Sequence, residues 1–167
     1  MRLAAFALPV ALMFATVGTA INAQRTDDQI DPKSLALLAT GRQQAAAGNL
    51  QEAAGTLETA LVVDPRNRGA FVALGDVARG RNLPGQAVRY YREALALDPN
   101  DLAALRGQGE ALVTKGAINK ARENLARIRK LCKIATCPEA SQLSAAIARG
   151  APQAAMTAPP AASPRKE

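Results

Sequence analysis

The chain is 167 residues long, lacks histidine and tryptophan, and carries a formal charge of +7. One compact domain plus tails fits that length, and the absence of imidazole removes Ser-His-Asp and Cys-His catalysis together with His-ligated metals; no catalytic residue, metal site or cofactor is assigned. Aromatics make up 3% of an alanine-rich sequence whose hydrophobic share is 49%, a composition that suits closely packed helices better than sheets.

Arg2 gives a positive start, and Leu3 to Val17 is an uncharged apolar run followed by the small residues Gly18, Thr19 and Ala20. This is the three-part pattern of a secretory signal. The run is shorter than the roughly 20 apolar residues of a membrane span, and Pro9 interrupts it. Residues 1–23 are expected to be an export signal, cut after Ala20 or Ala23, or else retained as an N-terminal membrane anchor. Residues 24–33 read as a polar linker. Export would place the protein in a bacterial periplasm.

Pro65 and Pro99 lie 34 residues apart, as do Gly41, Gly75 and Gly109, then Ala53, Ala87 and Ala121, and then Ala60 and Ala94. A fixed period of this size marks a solenoid. Its units are 34–67, 68–101 and 102–135, each with two helix-like stretches. In the second unit Phe71, Leu74 and Ala78 share one helical face. Gly80 to Leu83 form a turn, Pro84 suits a first helical turn, and Ala87, Tyr91, Ala94 and Leu95 make the next stripe. Asp98-Pro99-Asn100 stops that helix, and Asp101 is placed to cap the following one. Glycine inside a helix costs about 1 kcal/mol against alanine, so its threefold recurrence points to a steric need. Gly41, Gly75 and Gly109 are expected to admit a second helix, facing Ala53, Ala87 and Ala121 across each hairpin. One hairpin cannot bury both its faces, so the units must stack.

Phe71, Leu74-Gly75, Ala87, Tyr91, Ala94 and Pro99 follow the tetratricopeptide pattern, and the stretch from Gln86 to Asn100 resembles the second helix of that family. The first unit departs from it at Thr40, Gln44 and Leu57, the third at Gln108, Ile128 and Lys133. The resemblance spans about residues 34–133. It implies an all-α fold, a right-handed α-solenoid of three hairpins closed by a C-terminal capping helix, with 34–150 as the repeat domain. It also implies that the first helix of each pair lines a concave groove in which a peptide or protein partner lies. The positions so placed are Leu38, Arg42, Ala45, Val72, Asp76, Arg79, Arg106, Glu110 and Val113. Arg42, Asp76, Arg79, Arg106 and Glu110 alternate in sign; they either hold an extended peptide through charge-assisted hydrogen bonds or bridge one another between units. The carboxylate clamp of some family members would fall on Leu38, Arg42, Ala73, Ala103 and Gly107, of which only Arg42 could serve. The expectation is a monomeric, non-enzymatic interaction scaffold.

Cys132 and Cys137 are the only cysteines. In an exported chain they read as a disulfide, whose short loop would contribute roughly 2 kcal/mol on the chain-entropy model; a reactive pair or two free thiols are the alternatives. Pro138 fits the first position of a capping helix over 138–149, striped by Ala140, Leu143, Ala146 and Ile147, with Gly150 as its C-cap. Residues 151–167, with four prolines and no stripe, read as a disordered Ala/Pro-rich tail.

The positive charge concentrates in 102–135, where Arg106, Lys115, Lys120, Arg122, Arg127, Arg129, Lys130 and Lys133 outnumber Glu110 and Glu123. Lys120, Arg122, Arg127, Arg129, Lys130 and Lys133 form a basic patch. It is either a solvated helix face or a dock for an anionic partner, namely an acidic protein, an anionic lipid or a cell-envelope polymer. Nucleic acid is not expected as a partner, because no stacking aromatic is interleaved with these cations.

Overall fold

The computed structural model describes residues 29–132 and 137–157. Among them seven α-helices follow one another with no strand between: α1 (Pro32–Ala46), α2 (Leu50–Val63), α3 (Arg68–Gly80), α4 (Pro84–Leu97), α5 (Leu102–Thr114), α6 (Ile118–Leu131) and α7 (Pro138–Thr157). The signal expected at 1–23, Lys133 and residues 158–167 lie outside the described residues.

Punctuation in the sequence sets these boundaries. Asp31, Asn67 and Asp101 each accept a hydrogen bond from a backbone N–H in the first turn of α1, α3 and α5, satisfying a donor orphaned at a helix start. Pro84 occupies the first turn of α4, where its missing N–H is harmless. Inside each hairpin the chain reverses through a left-handed residue, Gly48 (φ 85°), Asn82 (φ 56°) and Gly116 (φ 74°). The next N–H after each of them returns to a carbonyl in the last turn of the preceding helix: Asn49 to Gln44, Leu83 to Ala78 and Ala117 to Leu112, the six-to-one bond of a glycine-type stop. α2 and α4 end at Asp64 and Asp98, both extended because a proline follows. Cys132 ends α6 at the corresponding place, its N–H on the Ile128 carbonyl.

Helices pair as α1/α2, α3/α4 and α5/α6, and α7 lies against both α5 and α6. The first helices also approach one another in series, α1 to α3, α3 to α5 and α5 to α7, whereas the backbones of α2 and α4, or of α4 and α6, do not come close, and α2 and α4 meet through the Tyr90 hydroxyl, which donates to Glu58 at 3.3 Å. The odd-numbered helices therefore form the tighter, inner wall, and the even-numbered ones splay on the outside. Three apolar clusters run along the stack: Leu38, Leu57 and Leu74 with their alanines, then Ala87, Tyr91, Ala94 and Ala104, then Leu105, Leu125, Ile128, Leu143 and Ile147.

The glycine notches exist, but their occupants differ from the expectation. A Cβ on Gly41 would lie 2.6 Å from Leu57, and one on Gly75 would lie 2.6 Å from the Tyr91 ring. The notch thus takes the large residue of the second helix rather than the alanine of the Ala53, Ala87 and Ala121 column. A Cβ on Gly109 would meet Leu143, also at 2.6 Å, so the third notch receives α7. Among the described residues the next helix after α6 is α7, which inserts its own leucine here. Two boundaries also move. α1 begins at Pro32, inside the segment read as linker, because Asp31 caps it. α7 does not stop at Gly150 but continues to Thr157, which includes the first residues assigned to the tail. Gly150 is not a cap: a side chain there would collide with Val113 on α5, so this glycine lets the two helices close together.

Adjacent units are joined by polar locks at equivalent positions. Buried Ser34 donates to the Ala60 carbonyl (2.7 Å) and accepts from Asn67 Nδ2 (2.8 Å). One period later, Arg68 pairs with Asp101 and, at 3.3 Å, with Asp98. Asp64, 5% exposed, takes the Asp31 N–H (2.9 Å), the Arg66 N–H (3.0 Å) and the Arg66 guanidinium. Those backbone donors, with Arg66, hold its carboxyl at about 2, below the ordinary 3.8.

Two predictions follow from the packing and the locks. Gly75→Ala and Gly107→Ala, each placing a methyl against the Tyr91 ring, should destabilise by about 1–3 kcal/mol, read by urea melts. Because the folded pKa of Asp64 lies below its unfolded value, its ionised form stabilises the fold above about pH 4, and that contribution disappears as pH falls towards 2. In Asp64→Asn, melting temperatures measured across that window should fall less steeply with acid than in the parent.

Candidate functional site

On the inner wall the side chains that face inwards from α3, α5 and α7 come together. Tyr91 is fully buried and originates on the outer helix α4. Its ring crosses the stack between Gly75 of α3 and Gly107 of α5, each of which would collide with it if it carried a Cβ. The hydroxyl emerges on the inner side and donates to Asp76 at 2.6 Å. Burial, and then the negative charge of Asp76, push the phenol above its ordinary range, so it remains a donor at any pH the protein would meet.

From Asp76 a chain of ion pairs runs across the wall. Arg79 lies 3.6 Å from Asp76 and pairs with Glu110 on the next inner helix. Glu110, with a side chain 13% exposed, also receives Arg106 at 3.1 Å. Four of the five alternating charges expected in the groove are therefore brought together, and they bridge one another between units. Arg42 stands apart on α1 and makes no ion pair with a described residue; it is exposed, with its guanidinium near Gly69. Leu38 is buried against Gly69, and Val72 is half-buried. Of the positions matching the family clamp, Ala73 is buried and Gly107 is filled by the Tyr91 ring.

Beside this network the wall is open. A cavity of about 510 Å³ is lined by Arg79, Glu110, Val113, Thr114, Ala146, Arg149 and Gly150. A second, of about 360 Å³, lies alongside it and shares Arg79 and Thr114 while adding Asp76, Asn82 and Pro84. α7 contributes Ala146 and Arg149, which carry no repeat signal in the sequence. Gly107, where the other units have alanines (Ala39 and Ala73), gave equally little warning.

The basic residues of α6 lie on its outer side. Lys120, Arg122, Arg127, Arg129 and Lys130 are all exposed. Arg122 donates to Asn119 at 3.2 Å and Arg127 to the Pro99 carbonyl at 2.7 Å; none of the five makes an ion pair with a described residue. Cys132 and Cys137 stand 6.1 Å apart at Cα, within the span a disulfide bridges. Among the described residues no group of acidic residues or cysteines is arranged to hold a metal ion, and no helix is long and apolar enough to cross a membrane.

No protein-family model matches the chain, and no curated protein matches its sequence. Solved structures do resemble it. The Sgt2 TPR domain from Aspergillus fumigatus aligns with a TM-score of 0.68 at 18% identity, covering 82% of this chain and 91% of that one. The first TPR of Spaghetti (RPAP3), bound to the HSP90 peptide SRMEEVD, aligns at 0.65 with 19% identity, covering 72% and 94%. The Yersinia enterocolitica type III secretion chaperone SycD, in complex with a peptide of the translocator YopD, aligns at 0.61 with 21% identity, covering 77% and 98%. The chain has the tetratricopeptide-repeat fold.

The hydroxyl of Tyr91 can be tested apart from its ring. Tyr91→Phe should keep the helical spectrum and lower stability by about 1.5 kcal/mol, the lower end for a bond to a charged acceptor, because Asp76 is half-exposed. Tyr91→Ala should cost about 3–5 kcal/mol. Equal losses in the two variants would show that the ring is not packed as described.

Proposed function

We propose that the chain is a non-enzymatic scaffold whose inner wall holds a peptide or another protein. The observation that carries this reading is the open trough on α3, α5 and α7, in which Arg79, Glu110 and Thr114 are set beside apolar Val113 and Ala146. Polar groups around a small apolar floor suit peptide recognition. Two proteins of the same fold are described with a bound peptide, which supports a peptide or protein as the class of partner.

We read α1–α6 as three repeats in a right-handed stack and α7 as the cap that ends it, since α7 covers the faces of α5 and α6 that a fourth hairpin would otherwise bury. We further propose that the protein works as a monomer in the cell envelope, exported through residues 1–23 into the periplasm or held there by them. The envelope is oxidising, and Cys132 and Cys137 would then be joined. Cys132 stands where α2 and α4 have Asp64 and Asp98, so a disulfide would fix the last joint where the earlier ones use a carboxylate turn.

A second reading rests on a separate observation, the exposed cations of α6, which have no carboxylate partner among the described residues. They could hold the protein to an anionic lipid or polymer of the envelope. Photo-crosslinking in the native cell separates the two. A crosslinking residue at Thr114 should trap a protein partner, and the same residue at Lys130 should not. Trapping only from Lys130, or trapping that disappears at high salt with none from Thr114, would replace the first reading by the second.

A further inference from the structure

The inner wall has a charge imbalance at one end. The two carboxylates that line its trough among the described residues are already engaged: Asp76 takes the Tyr91 hydroxyl and lies beside Arg79, and Glu110 is shared by Arg79 and Arg106. Arg149, on α7, lines the same trough, is exposed, and makes no ion pair with a described residue. In the cavity that Arg149 lines, Glu110 is the one carboxylate among the described lining residues, 13% exposed and bridged by two arginines, and Asp76 lies in the adjoining cavity beside Arg79. A carboxylate entering the first of these finds Arg149 directly.

The position of Arg149 is fixed by packing. The neighbouring Gly150 is pressed against Val113 so closely that no side chain fits. Val113 occupies, one period on, the place that Arg79 holds on α3. The exchange of arginine for valine on α5 removes a cation at the point of contact, and α7 supplies one at the rim instead. Ala146, one turn earlier, keeps the wall low and apolar beside it.

From this charge complementarity we infer that the partner segment received between α3, α5 and α7 is acidic, and that Arg149 is the residue that selects it. The inference rests on the inner-wall reading above and narrows it to one class of ligand. An acidic residue with a short apolar neighbour satisfies the site: its carboxylate meets Arg149 through a charge-assisted pair, and the apolar group covers Val113 and Ala146. The exposed cations of α6 lie on the outer side and have no part in this contact.

The test uses the purified protein and two fluorescein-labelled decapeptides, one alternating Glu with Ala and one alternating Lys with Ala, followed by anisotropy at physiological salt. The Glu-Ala peptide should bind and the Lys-Ala peptide should neither bind nor compete. Arg149→Glu should weaken Glu-Ala binding by about tenfold or more, as for loss of a charged contact at an interface, whereas Arg149→Lys should retain most of it. Arg129→Glu with Lys130→Glu should change it less than about twofold. Gly150→Ala, which lifts α7 from α5, should weaken binding although Arg149 is unchanged. Binding that ignores Arg149→Glu, or that is lost in the α6 variant instead, overturns the inference. If a Lys-Ala or neutral peptide crosslinks at Thr114 independently of Arg149, the scaffold reading stands and the acidic selection falls. If no peptide reaches Thr114, both fall.

Discussion

The passage of the Tyr91 ring between Gly75 and Gly107 ties the stack together. A side chain rooted on the outer layer reaches the inner one, and it does so because two helices from different units both give up a Cβ at the same place. Packing alone would bury the ring. Its hydroxyl, however, must find an acceptor once dehydrated, and Asp76 provides it. The core of the central unit and the electrostatics of the inner wall are therefore settled by one residue. Asp76 is held by Tyr91 and sits near Arg79, Arg79 reaches Glu110, and Glu110 holds Arg106.

This arrangement leaves both carboxylates of the trough engaged within the protein. Asp76 and Glu110 are held by arginines and a phenol, and beside them lie apolar Val113 and Ala146 and the exposed Arg149. α7 is thus more than a cover for the last hairpin. It fills the third glycine notch through Leu143, closes on Val113 through Gly150, and carries Arg149.

Much of the fold was legible because the same residues recur in register. The glycine and proline columns located the helices, and Asp101 and Pro84 gave their ends. What was not legible came from residues outside the period. Leu143 occupies the Gly109 notch from a helix that is not a repeat, so no column pointed to it. Gly107 replaces an alanine in only one unit, and a lone glycine does not announce the ring that needs it. Gly150 looked like a stop because glycine commonly ends a helix, while here it serves a close approach. The charged residues of the wall were identified from the resemblance, and the pairs 76–79 and 106–110 have helical spacing. The bond from Arg79 to Glu110 crosses between helices and becomes visible only when they lie side by side. The mutual pairing, one of the two alternatives that the sequence left open, is the arrangement found.

The two polar locks between units use different chemistry at the same backbone crossing, neutral at Ser34 with Asn67 and ionic at Arg68 with Asp101 and Asp98. Tandem units of similar shape are prone to docking on the wrong neighbour while they fold. Here a slip that brought the start of α5 beside α1 would part the Arg68 guanidinium from Asp101 and replace an ion pair by a hydroxyl contact, so the two seams differ in what a misplaced neighbour would lose.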